Sequence, residues 1–216
     1  MKKRLPFPIL HEDRDVIVID KPAGLLTVHT RQKELSTAEE YLNDYIRKGQ
    51  AKSRKRVFIV HRLDRETSGV MVFAKTRAAY LDLRRQFESH ETVAKTYLAV
   101  LHGAPKERKG TLDGPVGRER LRAITHWNVL AKHGPVSLVE FRIETGRMHQ
   151  IRIHAAELGC PVVGDRTYGD AVKDRRLRNR PSRHLLYAVE LSFLHPRTHK
   201  RMTFSAPPPA DLVYAG

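Results

Sequence analysis

Short runs of β-branched and aromatic residues recur through the middle of the chain, and they constrain its fold more than any other feature. The predicted strands cover residues 16–19, 57–60, 70–74, 95–101, 124–130 and 136–144. Helical spacing is found over residues 36–47 and in a stretch that begins at Thr76. Because strands and helices do not alternate regularly, we expect an α+β fold with a largely antiparallel or mixed sheet and flanking helices.

A short polar segment, residues 61–69, connects two of these predicted strands. It carries Asp64 between Arg62 and Arg65. Residues that act on ligands often lie on such connections, held by a rigid scaffold. Asp64 is therefore a candidate reactive acid, although an aspartate in a loop is also commonly a turn residue or a partner in a surface ion pair.

A second segment, residues 145–159, has the pattern of a short capped helix. Thr145 suits the N-cap, and Gly159 suits the left-handed position just past the end. The residues at helical spacing form an apolar face that has Arg152 on its flank, near the core boundary, where a guanidinium is expected to bind a carboxylate. The apolar face consists of Met148, Ile151, Ala155 and Leu158.

Several classes of chemistry find no support in the sequence. His149 and His154 are five residues apart, so they do not share a helix face as metal ligands at i and i+4 would. A second catalytic acid, a Ser-His-Asp set and a Gly-rich phosphate loop are likewise not evident in the sequence. A single carboxylate suits nucleophilic attack better than paired acid-base hydrolysis, and no metal or cofactor is predicted.

The chain is strongly basic. Forty Lys and Arg residues face 24 Asp and Glu residues, which gives a formal net charge of +16. The excess is uneven, with one cluster in residues 47–56 and a second in residues 166–201. A single basic cluster is commonly no more than a solvated loop. Two such clusters that flank a candidate site favour a polyphosphate partner.

Compartment and domain organisation follow from simpler features. Cys160 is the single cysteine, so it cannot form an internal disulfide, which fits a reducing compartment such as the cytoplasm. The N-terminus does not have the pattern of a secretory signal, and no run approaches the roughly 18 apolar residues of a membrane span. With no evident linker, we expect one domain over residues 1–216, with its core at about 13–211.

Six motifs along the chain resemble those of the RluA-type family of pseudouridine synthases. Residues 61–69 match the hallmark pattern H-R-L-D-x-x-T-S-G, and residues 146–152 match G-R-x-H-Q-I-R. The other four lie at residues 21–25, 95–97, 164–169 and 195–196, and the first of these is expected to form a turn that supports the site. The chain departs from the family at Met148, where a small hydroxyl residue is usual, and at Tyr187, where many members have histidine. The resemblance implies one catalytic domain on a long mixed, mainly antiparallel sheet, with a basic cleft across it.

The resemblance also implies roles for particular residues. Asp64 matches the essential nucleophile, which adds either to the sugar or to the uracil ring, and Arg152 matches the arginine that pairs with it. Tyr97 is expected to lie against the target base. The residues expected to bind RNA, or to shape the loop that does, are His61, Arg62, Thr67, Arg147, Arg175, Arg176 and Arg178.

The expected function is an RNA pseudouridine synthase that acts on ribosomal RNA, transfer RNA or both, as a cytoplasmic monomer that needs no cofactor and does not bind a membrane. The small RNA-binding domain that many relatives carry at the N-terminus is not expected, since there is no room for it before Asp13. The alternative is a catalytically inactive RNA-binding or ribosome-assembly protein with the same fold. A glycosidase or nucleosidase that uses Asp64 is a third hypothesis, and it would need a partner acid.

Overall fold

The computed structural model describes residues 5–29, 36–48, 50 and 52–209. The chain divides into two compact units. The first comprises Met1–Val93 and Glu190–Ala206, and the second comprises Ala94–Val189 and Pro207–Gly216.

The described residues form ten strands and four helices, and the sheet is mixed and open. The α+β class predicted from the sequence is therefore confirmed. The strands are β1 (Ile9–Glu12), β2 (Val16–Lys21), β3 (Phe58–Ile59), β4 (Ser68–Ala74), β5 (Ala94–His102), β6 (Lys109–Val116), β7 (Leu121–His133), β8 (Val136–Ile143), β9 (Leu186–Leu194) and β10 (Arg201–Ser205). The helices are α1 (Ala38–Arg47), α2 (Arg77–Ser89), α3 (Gln150–Glu157) and α4 (Ala171–Arg176).

The first unit is built around β2 and β4, which pair antiparallel. Every residue of β4 is buried, and so are all residues of β2 except Asp20. Such continuous apolar runs are typical of strands that are covered on both faces. Strand β1 pairs with the other edge of β2, while β3 pairs with β4 and β10 pairs with β9.

The second unit contains an antiparallel series in the order β5, β8, β7, β6. Strand β8 shows the alternation that its sequence predicts. Val139, Phe141 and Ile143 are buried, whereas Arg142 is exposed. This period of two places one face of the strand on the core of the unit.

Two helices begin where the sequence predicts. Thr37 caps α1 in a capping box, in which its side chain accepts from the Glu40 N–H and the Glu40 carboxylate accepts from the Thr37 N–H. Thr76 caps α2 by accepting from the Ala79 N–H. Among the described residues, no helix is both long and apolar enough to cross a membrane.

Helix α3 begins later than predicted. Its N-cap is His149, in the left-handed conformation, and not Thr145. The Thr145 hydroxyl instead donates to the Gln150 side-chain oxygen at 2.8 Å and accepts from the Ile124 N–H at 3.0 Å. Met148 therefore precedes the helix and is 72% exposed, so its predicted place on the apolar face is wrong.

Candidate active site

Asp64 lies in the connection between β3 and β4, in the first unit, and is half-buried. The Thr67 N–H donates to the Asp64 carbonyl at 3.1 Å, which closes a turn over residues 64–67. Strand β4 follows directly and is entirely buried. The carboxylate is thus carried on a short turn fixed at one end by the core of its unit.

A buried lysine ties the Asp64 turn to a neighbouring loop. The Lys21 side chain is fully buried, and its ammonium donates to the carbonyls of Pro22 at 3.0 Å, Leu25 at 2.8 Å and Arg65 at 3.1 Å. The Gly24 N–H also donates to the Arg65 carbonyl at 2.9 Å. An ammonium has three donors, and these three carbonyls offer an acceptor for each.

Thr27 binds Leu63, the residue that precedes Asp64. Its hydroxyl donates to the Leu63 carbonyl at 3.2 Å and accepts from the Leu63 N–H at 3.4 Å. Both residues are buried. Leu63 and Arg65 are therefore both held through their backbones, which restricts the backbone of Asp64 between them.

The other predicted residues of this loop differ in exposure. Arg62 is exposed, as a group that contacts RNA must be. His61 accepts from the Val72 N–H through Nε2 at 3.2 Å and stacks on Phe87 with ring centroids 4.7 Å apart. Thr67 is 2% exposed. His61 is thus held against β4 and α2, and Thr67 is buried.

Arg152 lies on α3 in the second unit and forms a buried, two-pronged ion pair with Asp165. Its Nε donates to Oδ2 of Asp165 at 2.6 Å, and its Nη2 donates to Oδ1 at 2.8 Å. The two side chains are 7% and 0% exposed. The flank position that the sequence predicts is therefore buried, and Asp165 is the carboxylate that the guanidinium binds. The pairing of Arg152 with Asp64 that the resemblance implies stays a prediction.

Asp165 is itself held by the loop that follows it. Its Oδ1 accepts from the N–H groups of Thr167 at 2.9 Å and Tyr168 at 3.1 Å. Burial by itself raises the pKa of Asp165, but the Arg152 guanidinium and these two N–H groups outweigh burial and hold that pKa below its usual range. Asp165 is thus ionised at neutral pH and fixes the plane of the Arg152 guanidinium.

Aromatic contacts complete the surroundings of Arg152. Its guanidinium carbon lies 5.2 Å from the centre of the Tyr168 ring. The Tyr168 hydroxyl is 3.1 Å from Nδ1 of His149.

Tyr97, the third predicted catalytic residue, lies on β5 opposite Phe141 of β8 and is 9% exposed.

The basic residues predicted to bind RNA are exposed. Arg147 precedes α3, and its Nε donates to the Arg122 carbonyl at 3.2 Å. The other three, on or just after α4, are Arg175, Arg176 and Arg178. Asp170 caps α4, and Asp174 accepts from the Gly164 N–H at 2.9 Å and contacts Nε2 of His102 at 2.7 Å.

Sequence reasoning missed Lys21 and Asp165 as parts of the site. The sequence predicts Lys21 only as part of the turn at residues 21–25, and Asp165 only as a member of the motif at residues 164–169. The available signal was a charged residue two positions after an apolar run. Lys21 follows Ile19 with Asp20 between them, and Asp165 follows Val163 with Gly164 between them. Such a charge is buried if it finds partners, and both of these do.

One group of potential metal ligands is present among the described residues. Asp13, Asp15 and His195 have ligand atoms within 4.8 Å of one another. Asp13 accepts from the N–H groups of Asp15 and Val16 through Oδ1, and Oδ2 lies 3.1 Å from Nε2 of His195. Asp15 pairs with Arg197. These contacts join the His195-Pro196 turn to the start of β2, which is a structural role.

The family model described as RNA pseudouridylate synthase matches residues 15–157, more than half of the chain. The match includes Asp64, Tyr97 and Arg152. The chain belongs to the RNA pseudouridylate synthase family. The resemblance that the motifs predict is thereby confirmed, and with it the class of enzyme, an isomerase that acts on RNA.

Relatives of the pseudouridylate synthase family cover nearly the whole chain. It is 37% identical over 218 residues to the uncharacterized RNA pseudouridine synthase YhcT of Bacillus subtilis (strain 168), covering 94% of this chain and 69% of the relative. It is 36% identical over 224 residues to ribosomal large subunit pseudouridine synthase D of Nitrosomonas europaea, covering 97% of this chain and 64% of the relative.

A solved structure of the same family has the same fold. Human RNA pseudouridylate synthase domain containing 4 superposes with a TM-score of 0.80 at 25% identity, covering 96% of this chain and 90% of that one. This similarity confirms the predicted fold class at the level of the whole chain.

Proposed function

We propose that this pseudouridine synthase isomerises specific uridines in ribosomal RNA, transfer RNA or both, with Asp64 as the nucleophile. The observation that carries the proposal is the position of Asp64, which sits in the hallmark motif on a turn braced by Lys21 and Thr27. A nucleophile held in this way needs little reorganisation before it attacks. The relative named for the large ribosomal subunit supports ribosomal RNA as the substrate class.

The reaction needs few groups. The bond between uracil N1 and the sugar breaks, the base turns, and its C5 forms a bond to the same sugar carbon. The C5 proton then leaves and N1 takes up a proton, so the product is an isomer of the substrate. Nothing is oxidised or reduced, so no redox cofactor takes part. Attack of the Asp64 carboxylate on the sugar carbon or on the uracil ring is compatible with this balance.

Arg152 has the second role in the proposal. The role we propose for its guanidinium, which the family resemblance implies, is to pair with the Asp64 carboxylate. Asp165 supports this role, because two hydrogen bonds already fix the orientation of the guanidinium. A fixed cation stabilises charge at a reacting centre better than one that must reorient.

Tyr97 and Arg62 act on the nucleotide in this proposal. A base inside a helix is out of reach of a carboxylate, so the target must be flipped out, at a cost of a few kcal/mol that is lowest for unpaired sites. Exposed Arg62 enters the stack or holds a phosphate beside the extruded nucleotide. The Tyr97 ring then lies against the uracil, where its face stacks and its hydroxyl assists the proton that leaves C5. We propose a monomer that works in the cytoplasm, where its RNA substrates are made.

Replacement of Asp64 by asparagine tests the assignment. We expect Asp64→Asn to lower pseudouridine formation by more than about 10³-fold while leaving RNA binding and the free energy of unfolding nearly unchanged, because only the nucleophilic oxygen is lost. The measurement is a pseudouridine map of total RNA from cells without the gene, complemented by each variant. Asp44→Asn, an exposed aspartate of α1 in the same unit, is the matched control and should restore the map. If the Asp64→Asn variant restored the pseudouridine map, the assignment of Asp64 as the nucleophile would be wrong. A map unchanged by gene deletion would favour the inactive RNA-binding protein.

A further inference from the structure

Two lysines are buried among the described residues, and their surroundings differ sharply. Lys21 is fully buried and donates to three carbonyls at 2.8 to 3.1 Å. Lys95 is 7% exposed, and its ammonium donates to the Thr145 carbonyl at 3.3 Å. Across the described ranges of the chain, that carbonyl is the one acceptor that Lys95 reaches. A buried ammonium with one long hydrogen bond keeps most of its desolvation penalty.

A second cation makes this position less favourable still. Burial lowers the pKa of Lys95, and the like charge of Arg147 lowers it further, to about 8. Folding therefore adds the repulsion of a second cation to the cost of burying Lys95. A group whose charge is disfavoured in this way is a candidate for binding a ligand.

The structure also leaves room for a ligand at this point. Gly146, between Thr145 and Arg147, is exposed and has no side chain. A Cβ built on Gly146 would lie 3.6 Å from the Lys95 nitrogen. The backbone at Gly146 does not have a positive φ. Backbone conformation therefore does not require glycine here, and the missing side chain leaves space beside the ammonium.

We propose that Lys95 and Arg147 together bind one phosphodiester group of the RNA, which enters beside Gly146. This inference rests on the proposed function and adds to it a phosphate-binding residue, Lys95, on the strand that carries Tyr97. A phosphate oxygen supplies the acceptor that the ammonium lacks, and its negative charge offsets the repulsion between the two cations. The Arg147 fork, fixed by its hydrogen bond to the Arg122 carbonyl, meets the same group from the solvent side.

Replacing Lys95 with methionine separates this role from a structural one. Methionine has nearly the same length and no charge. We expect Lys95→Met to unfold at the same or a higher urea concentration than the wild type, because an underpaired buried charge is removed. Lys21→Met is the contrasting control and should be clearly less stable, because three partly buried carbonyls lose the Lys21 ammonium as a donor.

RNA binding supplies the second readout, with a fluorescent 12-nucleotide oligouridylate as the probe. Lys95→Met should bind about tenfold more weakly at 0.1 M salt, and the slope of log Kd against log salt should fall by about 0.7. Gly146→Ala should weaken binding without loss of stability, since its Cβ makes an ordinary contact with Lys95. Lys132→Met, at an exposed lysine of β7 in the same unit, should change affinity less than twofold.

The outcomes distinguish this inference from the proposed function. If Lys95→Met binds the oligouridylate with wild-type affinity and salt slope, or loses as much stability as Lys21→Met, the phosphate site is wrong even if the wild type makes pseudouridine. If affinity and slope fall with stability retained, the site is supported even if the wild type makes none.

Discussion

The ion pair of Arg152 and Asp165 is the residue-scale feature on which the proposed chemistry depends most. Both side chains are almost fully buried, and two hydrogen bonds join them. Such a pair contributes little net stability compared with apolar residues, but it is costly to break. Its value to the protein is therefore the fixed orientation of the guanidinium.

Asp165→Asn tests this view at the same scale. The substitution keeps the shape of the side chain and leaves Arg152 without its buried carboxylate, so we expect the free energy of unfolding to fall by about 3 to 5 kcal/mol. Turnover should fall as well, because the guanidinium is no longer held in place. Urea denaturation and a pseudouridine assay at pH 7 measure both. A variant as stable and active as the wild type would contradict the role of the pair.

The difference in stability between the wild type and Asp165→Asn should depend on pH, and its direction follows from the pKa of Asp165. The folded protein lowers the pKa of Asp165 below its usual value of 3.8, so the carboxylate stabilises the fold at every pH above that value. This stability is lost as the pH falls through the lowered pKa. The wild-type advantage over Asp165→Asn should therefore be constant from pH 7 to about 5 and narrow only below pH 3.8. A gap that closes near pH 6 would show that another group is responsible.

At the scale of elements, the loop of residues 164–169 holds Asp165 in place. A Cβ on Gly169 would lie 2.1 Å from the Asp165 carbonyl oxygen, to which the Gly169 N–H donates at 2.9 Å. A Cβ on Gly164 would lie 2.1 Å from the Arg183 carbonyl oxygen, and Gly164 also has a φ of +76°. The loop therefore cannot accept side chains at its two ends without moving.

Gly169→Ala should accordingly disturb the site from a distance. We expect it to lower both stability and turnover, because the backbone of Asp165 must shift to admit the methyl group. Gly114→Ala in β6 is the matched control, since nothing lies within 4 Å of a Cβ built there. Thermal unfolding and the pseudouridine assay compare the two variants. Equal behaviour of both would show that the loop tolerates the change.

The elements that the sequence predicted are those with a strong local signal. Strands β2, β4, β5, β7 and β8 carry apolar runs or alternation, and α1 and α2 begin at threonine caps. Strand β6 is not predicted, because its sequence contains two glycines and a proline. The strand depends on pairing with β7. Helix α4 is six residues long with no buried residue, so it has no apolar periodicity to read. The start of α3 was misplaced because Thr145 bonds to Gln150 and Ile124, contacts that no local pattern shows.

The candidate site was predictable to the same limited extent. Motifs pointed to Asp64, Tyr97 and Arg152, and the family match covers all three. The partners that hold these groups depend on tertiary contacts. Lys21 reaches Arg65 across 44 residues, and Asp165 reaches Arg152 across 13. Sequence spacing cannot reveal such pairs, because the fold brings them together.

At the scale of the whole molecule, the net charge of +16 is the dominant property. A polyanion bound by such a surface releases counterions, so affinity falls steeply with salt. The exposed arginines on and after α4 are placed to contribute without supporting the fold. Mutation can therefore separate the contribution of surface charge to RNA binding from the chemical step.

Neutralising Arg175, Arg176 and Arg178 to glutamine tests this separation. We expect weaker RNA binding, a slope of log Kd against log salt reduced by about 2, and a chemical step at saturating RNA changed less than about threefold. A triple change of Arg77, Arg84 and Arg85 to glutamine, three exposed arginines of α2, is the matched control and should reduce the slope less. If the α2 change had the larger effect, we would conclude that RNA binds along α2 rather than along α4.

The central claim, that Asp64 isomerises uridine in RNA, is tested most directly by the fate of the C5 hydrogen. RNA labelled with tritium at uridine C5 is prepared from cells without the gene and incubated with the purified protein. The account predicts that the wild type releases tritium to water and forms an equal amount of pseudouridine, whereas Asp64→Asn releases none. Tritium release by Asp64→Asn at the wild-type rate, or free uracil in place of pseudouridine, would contradict it.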